Sequence, residues 1–129
     1  MHWIQVEQSA PLHGSVTIPG SKNSSLSLLA AACLSDEPVR LAGIPNLADM
    51  HVIGGIAQDI GLHIERLQDG TVLLDPTRIH SAYIDPAKSA AFRSSYYYVG
   101  SLLAKFGKVT VGYPGGDDFV ERPIDQHIK

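Results

Sequence analysis

Glycine and proline punctuate this chain at the points where one pattern of apolar residues stops and another begins, and that punctuation limits the fold more than any other feature. The breaks fall at Pro19-Gly20, Gly61, Asp69-Gly70, Gly107 and Pro114-Gly115-Gly116. Between them, stretches with alternating apolar residues exchange with stretches of helical period, which requires a mixed α/β (α+β) fold.

His2 to Val6 alternates weakly and Leu12 to Ile18 alternates well, with Leu12, Gly14, Val16 and Ile18 on one face, so a strand pair is expected to open the chain. Ser21 has the chemistry of an N-cap. Behind it, Ser24 to Leu34 predicts a helix with Leu26, Leu29, Ala30 and Cys33 on one stripe. Pro38 to Ala42 reads as a short strand, Ala48 to Ile60 as a helix stopped by Gly61, and Leu62 to Leu67 as a strand. Asp69-Gly70 then signals a hairpin, with Thr71 to Asp75 returning. The order is β-α-β-α-β-β from Val16 to Asp75.

A second such unit begins with a helix from Pro86 to Phe106, a stop at Gly107 and a strand from Lys108 to Gly112. After the loop Tyr113 to Arg122, Pro123 marks a helix start. Its apolar stripe of Ile124, His127 and Ile128 runs for less than two turns before Lys129.

With 129 residues, 44% hydrophobic and 18% charged, the chain can bury a modest core. A net charge of -3 with scattered lysines and arginines excludes a basic field for nucleic acid. Cys33 is the single cysteine, so no internal disulfide exists, and the six histidines have no paired metal-ligand spacing. The expectation is a reducing cytoplasm, with no structural metal and no cofactor. The apolar run Leu26 to Leu34 is too short to cross a bilayer and follows a strand and turn, so it reads as a buried helix rather than a membrane or export segment.

Three places have the chemistry of a site. Gly20-Ser21-Lys22-Asn23 lies at a helix amino terminus, where free N–H groups, the positive dipole end and Lys22 favour an anion. Taken alone, those four residues more often describe a solvated lysine beside a capping serine. The loop from Pro114 to Pro123 joins a strand to a helix. Its glycines permit close backbone approach, and Arg122 can grip a phosphate or carboxylate with two donors. The bland alternative is an acidic turn, and adjacent Asp117 and Asp118 are more often hydrophilic than cation-binding. Arg93 lies in a small and aromatic stretch, where it either snorkels to solvent or faces a ligand pocket. The run Tyr96-Tyr97-Tyr98 has no interleaved basic residues and reads as core and packing surface.

These places fall together in a resemblance. Gly14-Ser15-Val16-Thr17-Ile18-Pro19-Gly20-Ser21-Lys22-Asn23, Phe92-Arg93-Ser94-Ser95 with Gly100 to Gly107, and Pro114-Gly115-Gly116 with Arg122-Pro123-Ile124-Asp125 resemble the UDP-N-acetylglucosamine 1-carboxyvinyltransferases of the enolpyruvyl transferase family, over nearly the whole chain and at the family's spacing.

That resemblance implies an inside-out barrel of repeated β-α-β-α-β-β units, helices inside and sheets outside, of which this chain holds about one and a half. Residues 1–20 would be opening strands that belong to the family's other domain. Residues 21–129 would be a partial domain, with a first unit to about residue 78 and a truncated second. The implied reaction is enolpyruvyl transfer from phosphoenolpyruvate to the 3-hydroxyl of UDP-N-acetylglucosamine with loss of phosphate, which starts peptidoglycan precursor synthesis in the cytoplasm. A longer parent enzyme would perform it, and this piece alone is expected to be inactive.

By the same resemblance Lys22 and Asn23 contact phosphoenolpyruvate, and Arg93 lies near the UDP-sugar. Arg122, Pro123, Ile124, Asp125 and Gln126 line the sugar-nucleotide and phosphate site. Lys22 and Arg122 count with Asp117 as catalytic. Asp117 takes the place where the commoner family pattern has cysteine, so it becomes the general acid and the enzyme is expected to be insensitive to fosfomycin, which alkylates that cysteine. The alternatives are a shikimate-type or secondary-metabolic enolpyruvyl transferase and a non-catalytic anion-binding or regulatory module. Uncovered apolar faces predict self-association or packing against a remainder of the chain.

Overall fold

A computed structural model describes residues 2–46, 48–115 and 123–129, together with the backbone but not the side chains of Ala48 and Asp49. Its elements run in the order α1 (Lys22–Ala32), β1 (Val39–Leu41), α2 (Ala48–Ile60), β2 (His63–Arg66), β3 (Val72–Asp75), β4 (Tyr83–Ile84), α3 (Pro86–Ala91), a 3-10 turn (Arg93–Tyr96), α4 (Tyr97–Phe106), β5 (Thr110–Val111) and α5 (Asp125–Ile128).

The first three strands form one antiparallel sheet in the order β1-β3-β2, with Leu74 opposite both Val39 and Ile64. The central strand is the last to arrive. The hairpin places β3 beside β2, and α2 carries the chain across so that β1 takes the other edge. At the turn, Asp69 accepts from the Thr71 amide at 2.9 Å, and Gly70 takes a φ of 82° that a side chain would resist. A separate parallel pair, β4 with β5, is joined through α3, the 3-10 turn and α4, so a second crossover unit has begun.

Helices α1, α2 and α4 supply most of the core against one face of the sheet. Leu26, Leu29 and Cys33 meet Ile53, Ile56, Ala57 and Ile60 of α2, Val72 and Leu74 of β3, and Tyr98 and Leu102 of α4. Each of these side chains is almost wholly removed from water. Burying a large aliphatic side chain of this kind contributes about 1.5–3 kcal/mol. The Tyr98 hydroxyl points to the Ile53 carbonyl at 3.5 Å, a partner that makes burial of the phenol tolerable.

The mixed architecture, the α2 span, its Gly61 stop and the hairpin agree with expectation, while several details differ. Residues 2–20 form no strand and are exposed throughout; Ile4 and Leu12 are each 91% accessible. The alternation there is real, but it meets no partner strand within the described residues, and a lone strand leaves its backbone groups to water. Helix α1 starts at Lys22 rather than Ser24, because Ser21 caps it directly.

The expected helix from Pro86 to Phe106 is broken. Phe92 takes φ -152° and ψ 120°, which ends α3 and starts the 3-10 turn. Ser95 explains part of the break: its hydroxyl donates to the Ser89 carbonyl at 3.3 Å, competing with regular helical bonding. The strand after Gly107 is confined to Thr110–Val111, and its partner β4 has no clear alternation in so short a segment. Helix α5 begins at Asp125, with Pro123 two residues ahead of it.

Candidate functional site

Lys22 and Asn23 occupy the first turn of α1, exposed to solvent. Ser21 accepts from the Ser24 amide at 3.5 Å, and its carbonyl takes the Ser25 amide at 3.0 Å and the Ser25 hydroxyl at 2.7 Å. These bonds fix where the helix starts. Gly20 sets where that start sits: a Cβ built on it would lie 2.0 Å from the Gly43 carbonyl oxygen, so only glycine lets the two backbones pass this closely. The loop on the Gly43 side is held in turn by Arg66, whose guanidinium donates to the Ile44 carbonyl at 3.1 Å and reaches the Pro45 carbonyl at 3.5 Å. Sequence reasoning missed Arg66, since nothing local connects position 66 to positions 44 and 45.

The opposite end of α1 is also held by a cation. Lys105 of α4 donates to the carbonyls of Cys33 and Ser35, each at 3.4 Å, where the helix dipole favours positive charge. The Cys33 thiol beside it is buried, and desolvation pushes its pKa up to about 11 against the opposing charge of Lys105. It is a packing residue with suppressed nucleophilicity.

The segment leading into the Pro-Gly-Gly loop lies against α3. Cβ atoms built on Gly112 and Gly115 would fall 2.5 Å from Pro86 Cα and 1.6 Å from the Ala90 carbonyl oxygen. The Gly115 amide donates to the Ser89 carbonyl at 3.0 Å. That carbonyl also accepts from the Ser95 hydroxyl, and both serines are fully buried. Gly115 is therefore a fixed backbone point beside α3. Asp117 and Arg122, which sequence reasoning singled out, lie outside the described residues.

Arg93 opens the 3-10 turn and is half-buried. Its guanidinium carbon lies 5.6 Å from the centroid of the Tyr96 ring, within cation–π range. Tyr96 meets Tyr97 edge-on at 4.8 Å and His127 edge-on at 5.5 Å. Burial pushes the Tyr96 phenol above its ordinary range; Tyr97 adds to the rise and Arg93 opposes it.

Arg93 and α5, two parts of the predicted site, are thus joined through one ring. On α5, Asp125 and Gln126 are exposed; just ahead of it, Ile124 is buried and Pro123 is exposed. A cavity of about 430 Å³, lined mostly by apolar atoms, lies between α4 and α5 and includes Tyr96, Tyr97, Leu103, Ile124 and His127. Of the tyrosine run read as core and packing surface, Tyr98 is core, Tyr97 packs against the core, and both Tyr96 and Tyr97 line this cavity. The spacing of Arg93 and Tyr96 by three residues was the signal for their contact, since residues three apart are neighbours on a helix and eclipse in the 3-10 turn found here.

The match with known proteins covers nearly the whole chain: residues 6–129 fit the model of EPSP synthase (3-phosphoshikimate 1-carboxyvinyltransferase). The chain belongs to this enolpyruvyl transferase family. It is 44% identical over 129 residues to UDP-N-acetylglucosamine 1-carboxyvinyltransferase of Lactobacillus acidophilus, spanning all of this chain and 30% of that protein. It is 35% identical over the same length to UDP-N-acetylglucosamine 1-carboxyvinyltransferase 2 of Bacillus cereus, again 30% of the relative. The chain therefore spans under a third of the length of these relatives. Among solved structures, the enolpyruvyl transferase NikO from Streptomyces tendae matches with a TM-score of 0.65 and 26% identity, covering 74% of this chain and 22% of that one. The family fold with its repeated helix and strand units is thus present here in part. No helix among the described residues is long and apolar enough to cross a membrane.

Proposed function

We propose that this chain is the amino-terminal part of a longer cytoplasmic enzyme that transfers the enolpyruvyl group of phosphoenolpyruvate to the 3-hydroxyl of UDP-N-acetylglucosamine, releasing phosphate in the first step of peptidoglycan precursor synthesis. The observation that carries this reading is the 44% identity with a UDP-N-acetylglucosamine 1-carboxyvinyltransferase along the full chain, with Lys22 and Asn23 at an exposed, glycine-positioned helix start.

In this reading Lys22, Asn23 and the first-turn N–H groups of α1 receive the phosphate and carboxylate of phosphoenolpyruvate, where a full charge and a dipole end act together. Arg122 adds a second cation for the phosphate. Arg93 and Pro123 to Gln126 receive the sugar nucleotide. Asp117 delivers a proton to the methylene carbon of phosphoenolpyruvate while the sugar 3-hydroxyl gives its proton to a base from beyond this chain and its oxygen bonds to the neighbouring carbon, giving a tetrahedral adduct. Loss of phosphate and of a methyl proton then restores the double bond. A carboxyl group serves as donor if a closed, partly dry site keeps it protonated. The remaining acidic and cationic groups would come from beyond this chain.

A second reading has its own support, since the matching family model is that of a shikimate-pathway enzyme and NikO is a further enolpyruvyl transferase. Acceptor choice separates them. The enzyme containing this chain is expected to release phosphate from phosphoenolpyruvate with UDP-N-acetylglucosamine and not with shikimate 3-phosphate. Release only with shikimate 3-phosphate would overturn the assignment.

A further inference from the structure

Arg93 and the α5 segment lie far apart in the sequence, and the structure joins them through the ring of Tyr96. The 3-10 turn puts the Tyr96 ring under the Arg93 side chain, 5.6 Å from guanidinium carbon to centroid. The same ring receives His127 of α5 at 5.5 Å with the planes at 65°. A long arginine side chain loses considerable rotamer freedom when it must hold one pose for a ligand. A ring already in contact with it removes part of that cost before the ligand arrives.

We propose that Tyr96 is a positioning residue for the nucleotide sugar: its ring holds the Arg93 guanidinium and, through His127, keeps it in register with Pro123 to Gln126. The inference rests on the assignment of Arg93 and α5 to the sugar-nucleotide site. Its chemistry asks for an aromatic ring and not for the phenol hydroxyl. Tyr97, which contacts Tyr96 edge-on, steadies the ring from its own side. Phosphoenolpyruvate, held at the start of α1, is not served by this contact.

The test uses the transferase containing this chain and compares Tyr96→Leu, Tyr96→Phe and Arg93→Lys. Tyr96→Leu is expected to raise the KM for UDP-N-acetylglucosamine by roughly three- to thirty-fold, the range a cation–π contact supports. The KM for phosphoenolpyruvate stays put, and Tyr96→Phe restores the parent value to within about two-fold. In the Arg93→Lys background, Tyr96→Leu adds less than it does alone. Nuclear magnetic resonance of the same transferase, labelled at arginine, gives an independent readout, because the Arg93 side-chain N–H shift should carry a ring-current contribution lost in Tyr96→Leu and kept in Tyr96→Phe.

An unchanged UDP-sugar KM in Tyr96→Leu, with Arg93→Lys impaired, overturns the positioning role alone. If Arg93→Lys is also unimpaired, the assignment of Arg93 falls and takes this proposal with it. Should Tyr96→Leu fail to fold, His127→Leu removes the second ring contact and must shift the same KM upward; no shift overturns the coupling to α5.

Discussion

The Gly115 amide donates to the carbonyl of buried Ser89 at 3.0 Å, so the base of the Pro-Gly-Gly loop is tied to α3 at a point that the backbone itself defines. The approach is close enough that a Cβ at position 115 would lie 1.6 Å from the Ala90 carbonyl oxygen. Gly115→Ala must therefore move either the loop base or the end of α3. Misplacing a reacting group by about 1 Å costs on the order of 100-fold in rate. Phosphate release by the enzyme containing this chain is expected to fall by at least about 10-fold in Gly115→Ala. Circular dichroism should show the helices intact, and an unaltered kcat would show that the loop base tolerates displacement.

At the proposed phosphoenolpyruvate site the argument is similar but the expected kinetic signature differs. Gly20→Ala would push the start of α1 away from the Gly43 carbonyl, displacing Lys22 and Asn23 as a pair. The effect should fall on phosphoenolpyruvate, with its KM raised by about 10-fold or more and the UDP-sugar KM little changed, since a charge-assisted hydrogen bond contributes roughly 1.5–3 kcal/mol. Steady-state kinetics with each substrate varied in turn checks this.

The Cys33 thiol makes a prediction about alkaline stability. Burial raises its pKa from 9.0 to about 11, so the folded state prefers the neutral thiol more strongly than the unfolded state does. The associated stability is fully present below pH 9.0 and is lost as pH rises through about 11. At about 1.4 kcal/mol per unit, the loss is no more than about 3 kcal/mol. Denaturant titrations at several pH values should show the parent losing stability across this window more steeply than Cys33→Ala. Tyr98, whose phenol is also raised by burial, contributes to the alkaline limb of both proteins. A thiol reagent at pH 8 should modify Cys33 only on unfolding.

Residues 61 and 80 test the fold rather than the site. Gly61 stops α2 with a φ of 95°, and a Cβ there would lie 2.4 Å from both the Arg78 carbonyl oxygen and the His80 ring nitrogen. The two effects, a strained backbone and a blocked approach, act together. Gly61→Ala is expected to cost about 1–3 kcal/mol, read as a lowered denaturation midpoint with unchanged slope.

What the sequence disclosed follows from the range over which each signal acts. The span of α2, its Gly61 stop and the Asp69-Gly70 turn depend on residues within a few positions of one another, and they were legible. The opening alternation from Leu12 to Ile18 was legible as a pattern, but a strand exists only with a neighbour, which a one-dimensional pattern does not supply. The break at Phe92 depends on buried Ser95 bonding back to Ser89, and the pinning of positions 44 and 45 by Arg66 depends on the hairpin having formed. Lys22, Asn23 and Arg93 were legible as candidates because their residue types suit anions. The contact of Tyr96 with His127 was not, because the two rings meet only after α5 packs beside the 3-10 turn.

Asp117 gives the most discriminating chemical test. The Pro114-Gly115-Gly116 sequence fixes its register, and the anchoring of Gly115 on α3 fixes where that loop begins. If Asp117 is the proton donor, the parent should carry no covalent adduct after exposure to fosfomycin, because a carboxyl group lacks the thiolate that opens the epoxide. Asp117→Cys should acquire a single adduct at this loop, visible by mass spectrometry of the intact protein and its peptides. Asp117→Asn should keep both substrates bound while kcat falls by roughly 100- to 10,000-fold, the contribution of a general acid. Labelling of the parent at this loop would overturn the insensitivity, and near-parent turnover in Asp117→Asn would move the proton donor elsewhere. Substrate binding by Asp117→Asn separates those outcomes from a collapsed site, since a variant that binds and does not turn over has lost the proton and not the fold.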